Sequence, residues 1–258
     1  MAEELVRYAA AEGVATLTLD SPGNRNALST PLIRQFTDAL RAALADDAVR
    51  VILLDHAGPV FCSGADLKET AAARESGQVP AAALVDLLAD LVEAPKPVVA
   101  RIAGPARAGG LGLIAAADIA VCTTAATFAF TEVRLGVIPA VISATVLPRL
   151  TPRAASELYL TGEVFDGHRA EHVGLVTAAV PESDLDPAVR RYLDALVLGA
   201  PGALAGAKGL LRTPVRERLR ELADLSAGYF LSTEGREGVA AYAEKRVPSW
   251  VPEGRRSA

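Results

Sequence analysis

Between Gly104 and Pro139 the chain reads GPARAGGLGLIAAADIAVCTTAATFAFTEVRLGVIP, a stretch with very little that water would hold at the surface. Such a stretch must be buried, and buried backbone must pair its N–H and C=O groups in regular structure. Asp118 interrupts the apolar run and leaves it too short to span a bilayer, so it predicts a protein interior. A glycine pair, Gly109–Gly110, opens the run. One acidic residue among apolar neighbours, Glu132, stands near its end, just before Gly136 and Pro139. The pattern reads as a backbone anion cradle followed by a single acid/base carboxylate.

The flanking sequence alternates between strand and helix patterns. Val14–Asp20 and Val49–Asp55 predict strands, the first half-buried and the second buried by its β-branched content. Between them Thr30 reads as an N-cap with Pro31 behind it, and Leu32, Ile33, Phe36, Leu40 and Leu44 give the helical period. The spacing predicts a further helix over Ala81–Glu93, strands at Val98–Ile102, Asp118–Cys122, Thr127–Phe130 and Gly174–Val180, and helices from Thr151 to Leu160 and near His168. From Asp184 to Arg246 only helical periods remain, broken near Pro201 and Pro214. Thr70–Pro80 reads as a solvated, frayed helix end in preference to a lid. The fold class predicted is α/β, with a C-terminal helical cap.

Composition excludes several functions. Of 258 residues 51% are apolar, enough for one large core, and the net charge of −5 comes with no Lys/Arg cluster. No nucleic-acid or membrane partner is expected. MAEELVRYAAAEG has no basic-then-apolar signal pattern, and two cysteines, Cys62 and Cys122, make no disulfide framework. Both are expected to be reduced, partly buried thiols of a cytoplasmic protein. His168 and His172 share a helical spacing but have no third ligand, so no metal is expected.

Two small-residue turns follow strands. Ser63–Gly64–Ala65–Asp66 comes after the strand ending at Asp55, and Ala108–Gly109–Gly110 after the one ending at Ile102. Such turns free backbone N–H groups and let a ligand approach the main chain. Two N–H groups from two loops can converge on one oxygen, and a helix beginning at the second turn adds its positive end. Tight turns and close packing account for the same glycines without any ligand.

The motifs VFCSGADL, KPVVARIAGPARAGGLGLIAAADIAV, FAFTEVRLGVIPAVIS and LTGEVFDGHRAEHVGLV, in this order, resemble the enoyl-CoA hydratase/isomerase (crotonase) superfamily. The resemblance extends from NRNALS at the front to EGREGVAAYAEKR near the end. It implies a spiral of ββα units over residues 1–200 carrying the CoA site. It also implies a helical region, 201–258, that serves trimerisation and CoA contacts. The partners implied are an acyl-CoA thioester substrate and further copies of the chain, as a homotrimer or a hexamer built as a dimer of trimers. No cofactor is implied, since coenzyme A is part of the substrate. On the family pattern the N–H groups of Ala65 and Gly109 form an oxyanion hole. Cys62, Gly64, Ala65, Asp66 and Leu67 lie against CoA, Gly110 and Gly112 belong to the same substrate site, and Arg25, Tyr242 and Lys245 reach CoA.

One position departs from the pattern. Typical hydratases carry two catalytic glutamates. The second matches Glu132, whereas the first falls on Gly112, which can neither activate water nor exchange a proton. A single glutamate suits the family's isomerases. TEVRLGVIPAVIS with that glycine also resembles a bacterial methylglutaconyl-CoA hydratase-like subgroup, so a hydratase-type lyase ranks first and an isomerase second. A non-catalytic CoA-binding paralogue is a third reading. Alternatively, Glu132 pairs with Arg134. Arg107 either anchors a substrate carboxylate or is an exposed loop arginine. Gly110-Leu-Gly112-Leu-Ile-Ala115 also fits a dinucleotide fingerprint, although its place in mid-chain argues against that use.

Overall fold

The structure is a computed structural model that describes residues 3–66, 69, 82–211 and 215–252. Thr70–Pro80 lies outside the described residues. Among the described residues nine strands form two sheets. The long sheet runs β1 (Val6–Ala11), β2 (Val14–Leu19), β3 (Val51–His56), β4 (Val98–Ile102), β6 (Ile119–Thr123) and β9 (Ala178–Val180). The short one runs β5 (Ala106–Arg107), β7 (Thr127–Ala129) and β8 (Phe165–Asp166). All pairs in the long sheet are parallel except β1–β2.

β1 was not expected from sequence. Only Val6 in it is buried, so it has no core-facing alternation. Its one signal is the Glu12–Gly13 turn, where both residues have positive φ, 51° and 82°. That backbone suits the twist of a two-residue hairpin. Parallel β3, β4 and β6 are covered on both faces. Ile52, Leu54, Ala100, Ile102 and Cys122 point into the main core, while Val51, Val99 and Val121 meet Leu185, Val189 and Leu193. These last three lie on α7 (Leu185–Val197). Period-2 alternation with apolar residues on both faces explains why these strands read as continuous apolar runs.

α1 (Thr30–Ala45) starts one residue earlier than Thr30 as a cap implies. Ser29 is the N-cap, and its side chain accepts from the Leu32 N–H. Pro31 then falls in the first turn, where its missing N–H costs nothing. α2 (Ala82–Glu93), α3 (Gly109–Ala116), α4 (Ala140–Val146), α5 (Pro152–Thr161) and α6 (Gly167–His172) complete the core-packing helices. His168 and His172 both stand exposed on α6. After α8 (Pro201–Leu210), α9 (Arg216–Leu231) packs on α4 and α2. α10 (Thr233–Ala243) packs on a 3-10 turn over Glu132–Leu135. The helical region is interrupted near Pro201, as expected, and also at Ser232, which caps α10 by accepting from the Gly235 N–H, while Pro214, the other expected break, lies outside the described residues.

The ββα repetition is visible in the pairing. β2, β3, β4 and β6 each give one strand to the long sheet and one short partner to a second ladder. Leu28 bridges Ala65, Cys62 bridges Ala106, and β5 pairs with β7. The first ladder step is fixed by Asn26, which is fully buried at φ 52°. Its Oδ1 accepts from Ser21 N at 2.7 Å, and its Nδ2 donates to Ala57 O at 3.0 Å and Val60 O at 2.8 Å. Replacing Asn26 with Ala strands these three groups. The expected loss is about 2–4 kcal/mol of folding stability, read as a lower midpoint of chemical denaturation with an unchanged slope.

Candidate active site

The short ladder gathers the site. Cys62, Ala106 and Phe128 lie side by side in parallel pairings, and Arg107 is opposite Ala129. Parallel strands deliver their continuations to one edge. Ala65, Gly109 and Glu132 each follow closely after a ladder residue, so all three emerge at that edge.

The two turns touch. Arg107 N donates to Cys62 O at 2.9 Å, and Phe61 N to Pro105 O at 3.0 Å. Gly64 has φ 94°, and a Cβ there would lie 2.8 Å from Ala108 Cβ. Only glycine fits both the backbone and the space. Ala65 and Gly109 are the next residues on either side of this contact. Neither N–H is used by another group among the described residues. Gly109 is the first residue of α3, so its N–H belongs to the unpaired first turn and to the helix's positive end. Ala108, at φ 45° and ψ −118°, holds a conformation that a Cβ strains. Strain of this kind at the approach to an N–H left unused among the described residues is a mark of a pre-set site.

Glu132 opens the 3-10 turn, is 8% exposed, and has an Oε2 with no hydrogen-bond partner among the described residues. Burial pushes its carboxyl up from 4.5 to about 7. It does not pair with Arg134, whose Nε and Nη2 instead donate to Thr161 O at 3.3 and 3.1 Å. The turn, not a strand edge, sends the two side chains to different partners. Phe130 stacks with Phe165, while Phe128 lies tilted against Phe165 and Phe130 tilted against Tyr159. An uncharged, close-packed wall thus backs the carboxylate, and a carboxyl near 7 can both take and give a proton at neutral pH.

Gly112 lies inside α3, one face of which packs on α4. A Cβ at Gly112 would come within 2.7 Å of Ile142 Cγ2 and 3.4 Å of Leu88 Cδ1. The branched Ile142 occupies the space a side chain at 112 requires. The glycine is therefore a packing consequence as well as an absent carboxylate, which the sequence alone did not reveal.

A sequence profile of the enoyl-CoA hydratase/isomerase family matches residues 9–253. The chain belongs to the enoyl-CoA hydratase/isomerase family. Crystal structures of enoyl-CoA hydratases are similar in fold. One from Mycobacterium avium has a TM-score of 0.87 at 46% identity, covering 96% of this chain and 100% of that one. One from Mycobacterium smegmatis has a TM-score of 0.77 at 31% identity, covering 96% and 99%. The mitochondrial methylglutaconyl-CoA hydratase of Mus musculus is 32% identical over 93% of this chain and 80% of its own length. A crotonase fold and an activity on CoA thioesters follow from this membership.

Within the family frame the other expected residues can be placed. Cys62 and Gly110 are buried against each other, with a Cβ at Gly110 falling 2.8 Å from Cys62 Cβ. Burial pushes the Cys62 and Cys122 thiols up to about 12, so both are inert. Asp66 is half-buried and accepts from Glu69 N through Oδ1. Leu67 lies outside the described residues. Arg25 is exposed at φ 59°, and its carbonyl accepts from Ser63 N at 3.1 Å, which sets it beside the 62–66 turn. Tyr242 and Lys245 stand exposed at the end of α10, and no hydrogen bond joins them to that turn among the described residues.

Arg107 fits neither expectation. It is half-buried, and Nη1 donates to Ala106 O and Thr127 O while Nη2 donates to Thr127 Oγ1. Its guanidinium is committed to the short sheet. The dinucleotide reading also fails on geometry, because Gly110–Ala115 is buried in mid-helix and not an open turn. Among the described residues no single helix is long and apolar enough to cross a membrane. Ala108 and Ile142 were missed from sequence. Neither residue type signals a role until φ or a neighbour's space is known.

Two outcomes are expected. Glu132 binds a proton more tightly folded than unfolded, so stability contributed by this group is present below 4.5 and lost as pH rises through about 7. Relative to Glu132→Gln, the parent should lose about 2–3 kcal/mol of stability between pH 5 and 8, measured by denaturant unfolding. Gly112→Glu should unfold at a lower temperature than the parent, and adding Ile142→Gly should recover most of the loss, read by thermal melts.

Proposed function

We propose that this family member is an enoyl-CoA hydratase, adding water across the 2,3-double bond of an enoyl-CoA thioester with Glu132 as its one carboxylate. The observation carrying this reading is a buried carboxyl near 7, whose Oε2 has no partner among the described residues, at the same ladder edge as two N–H groups unused among them. In this reading the thioester carbonyl oxygen accepts from Ala65 and Gly109 N–H. Ionised Glu132 takes a proton from water as the water oxygen bonds to C3. The electron pair of the double bond moves into an enolate, with its charge on the thioester oxygen. C2 then takes the proton from Glu132, giving the 3-hydroxyacyl thioester and restoring the carboxylate. The proton removed is the proton returned, so no second carboxylate is needed.

The 62–67 turn, Arg25, Tyr242 and Lys245 hold CoA in this reading. The mouse methylglutaconyl-CoA hydratase makes branched, carboxylated thioesters a class worth including among trial substrates, although Arg107 is already committed elsewhere. A second reading is favoured by Gly112: with one carboxylate, Glu132 moves a proton between substrate carbons and shifts the double bond. The assembly proposed is a homotrimer or hexamer, for which exposed Leu160, Val164, Leu198, Leu210 and Leu211 supply apolar surface.

A panel of plain and carboxylated enoyl-CoA thioesters read by mass spectrometry tests the reading. Hydration adds one water, isomerisation leaves the mass unchanged, and tight CoA binding without turnover means a non-catalytic protein. Glu132→Gln should lower kcat by about 100-fold or more and leave CoA affinity nearly intact. The parent's kcat/KM should rise with pH to a plateau above about 7, where Glu132 is ionised. Near-normal turnover in Glu132→Gln removes that residue from the mechanism.

A further inference from the structure

We propose that Tyr159 is a further catalytic residue, holding the attacking water opposite Glu132, and that Ser143 is the residue that positions it. The proposal rests on the hydratase reading above. Tyr159 lies on α5, half-buried, with its ring centroid 4.6 Å from that of Phe130, two residues before Glu132. Arg134, two residues after Glu132, donates to Thr161 O at the end of the same helix. The turn is thus tied to α5 from both sides of Glu132, at Tyr159 and at Thr161. Burial, and after it the charge of Glu132, raises the Tyr159 phenol above its ordinary range, so it stays protonated through neutral pH.

The direction of the proton on Tyr159 follows from its partner. Ser143 Oγ lies 2.6 Å from Pro139 O and 3.4 Å from Tyr159 Oη. A carbonyl only accepts, so the single Ser143 proton goes to Pro139 O. In the longer contact Tyr159 is then the donor and Ser143 the acceptor. With its proton committed, Tyr159 Oη offers lone pairs on its other side. A water between it and ionised Glu132 meets two acceptors. Each accepts a hydrogen bond from one of its O–H groups, which turns its lone pair outward, toward C3 of a substrate whose carbonyl lies on Ala65 and Gly109; only Glu132 removes a proton. A second acceptor is what Gly112 fails to supply.

Few other titratable groups face Glu132. α3 and α4 carry none. α10 brings Glu234, Arg236 and Glu237, of which Arg236 donates to Leu231 O and Glu237 is bound by Arg246 and Ser249, and α5 brings Arg153 and Glu157, the latter bound by Arg169. Arg134 is on Thr161. Removing Ser143 frees the phenol proton to donate to the carboxylate, which favours the ionised form of Glu132.

The test uses crotonyl-CoA or 3-methylglutaconyl-CoA, whichever the parent hydrates. Tyr159→Phe is expected to lower kcat by about 10- to 100-fold with KM within about twofold. Ser143→Ala is expected to move the lower limb of the kcat/KM profile to lower pH. A hydrating parent with unchanged kcat in Tyr159→Phe overturns this proposal and leaves the hydratase reading standing. A parent that hydrates neither substrate overturns both. Should Tyr159→Phe fail to fold, the Ser143→Ala profile decides, and an unmoved limb overturns the proposal.

Discussion

The site depends on parallel pairing in a very short sheet. Cys62, Ala106 and Phe128 come from three separate ββα units, and the bridges between them are brief. Because the strands are parallel, their continuations leave at one edge, and chemistry can be distributed over residues far apart in sequence. Antiparallel pairing would send alternate loops to opposite edges. The long sheet supplies the rigidity that such short pairings lack, since its strands are buried on both faces. The close contact of Gly64 with Ala108 then brings the two turns nearer than a side chain at position 64 would allow.

Desolvation does the remaining tuning. Glu132 is raised by burial alone, with no neighbouring carboxylate to push it. Its aromatic backing provides a low-dielectric wall, and Arg134, the nearest cation in sequence, is diverted to Thr161. Had Arg134 paired with Glu132, the carboxyl would have been lowered and made a poor proton donor. The packing of Ile142 against Gly112 belongs to the same economy, with apolar bulk standing where a second acid would otherwise sit.

Much of this was legible in the sequence. Apolar periodicity revealed the parallel strands, since burial on both faces leaves an apolar signature in any context. β1 was invisible because an exposed edge strand owes its existence to pairing with β2 and not to its own pattern. The glycines of both turns and the isolated Glu132 were readable as chemistry, with the family resemblance supplying their roles. Ala108, Ile142 and the fate of Arg107 were not. Strain, steric exclusion and the choice of hydrogen-bond partner are relations between residues, and a linear pattern records none of them.

The last helix has a consequence for when the enzyme comes to life. α10 lies so close to the Glu132 turn that a Cβ at Gly136 would strike Glu234 O, and one at Gly238 would strike Leu135 O. The Glu132 turn is therefore clamped by backbone from a helix much later in the chain. The turns at Gly64 and Ala108 belong to an earlier part of the chain and precede that helix in synthesis. The Glu132 turn thus reaches its final packing later than they do.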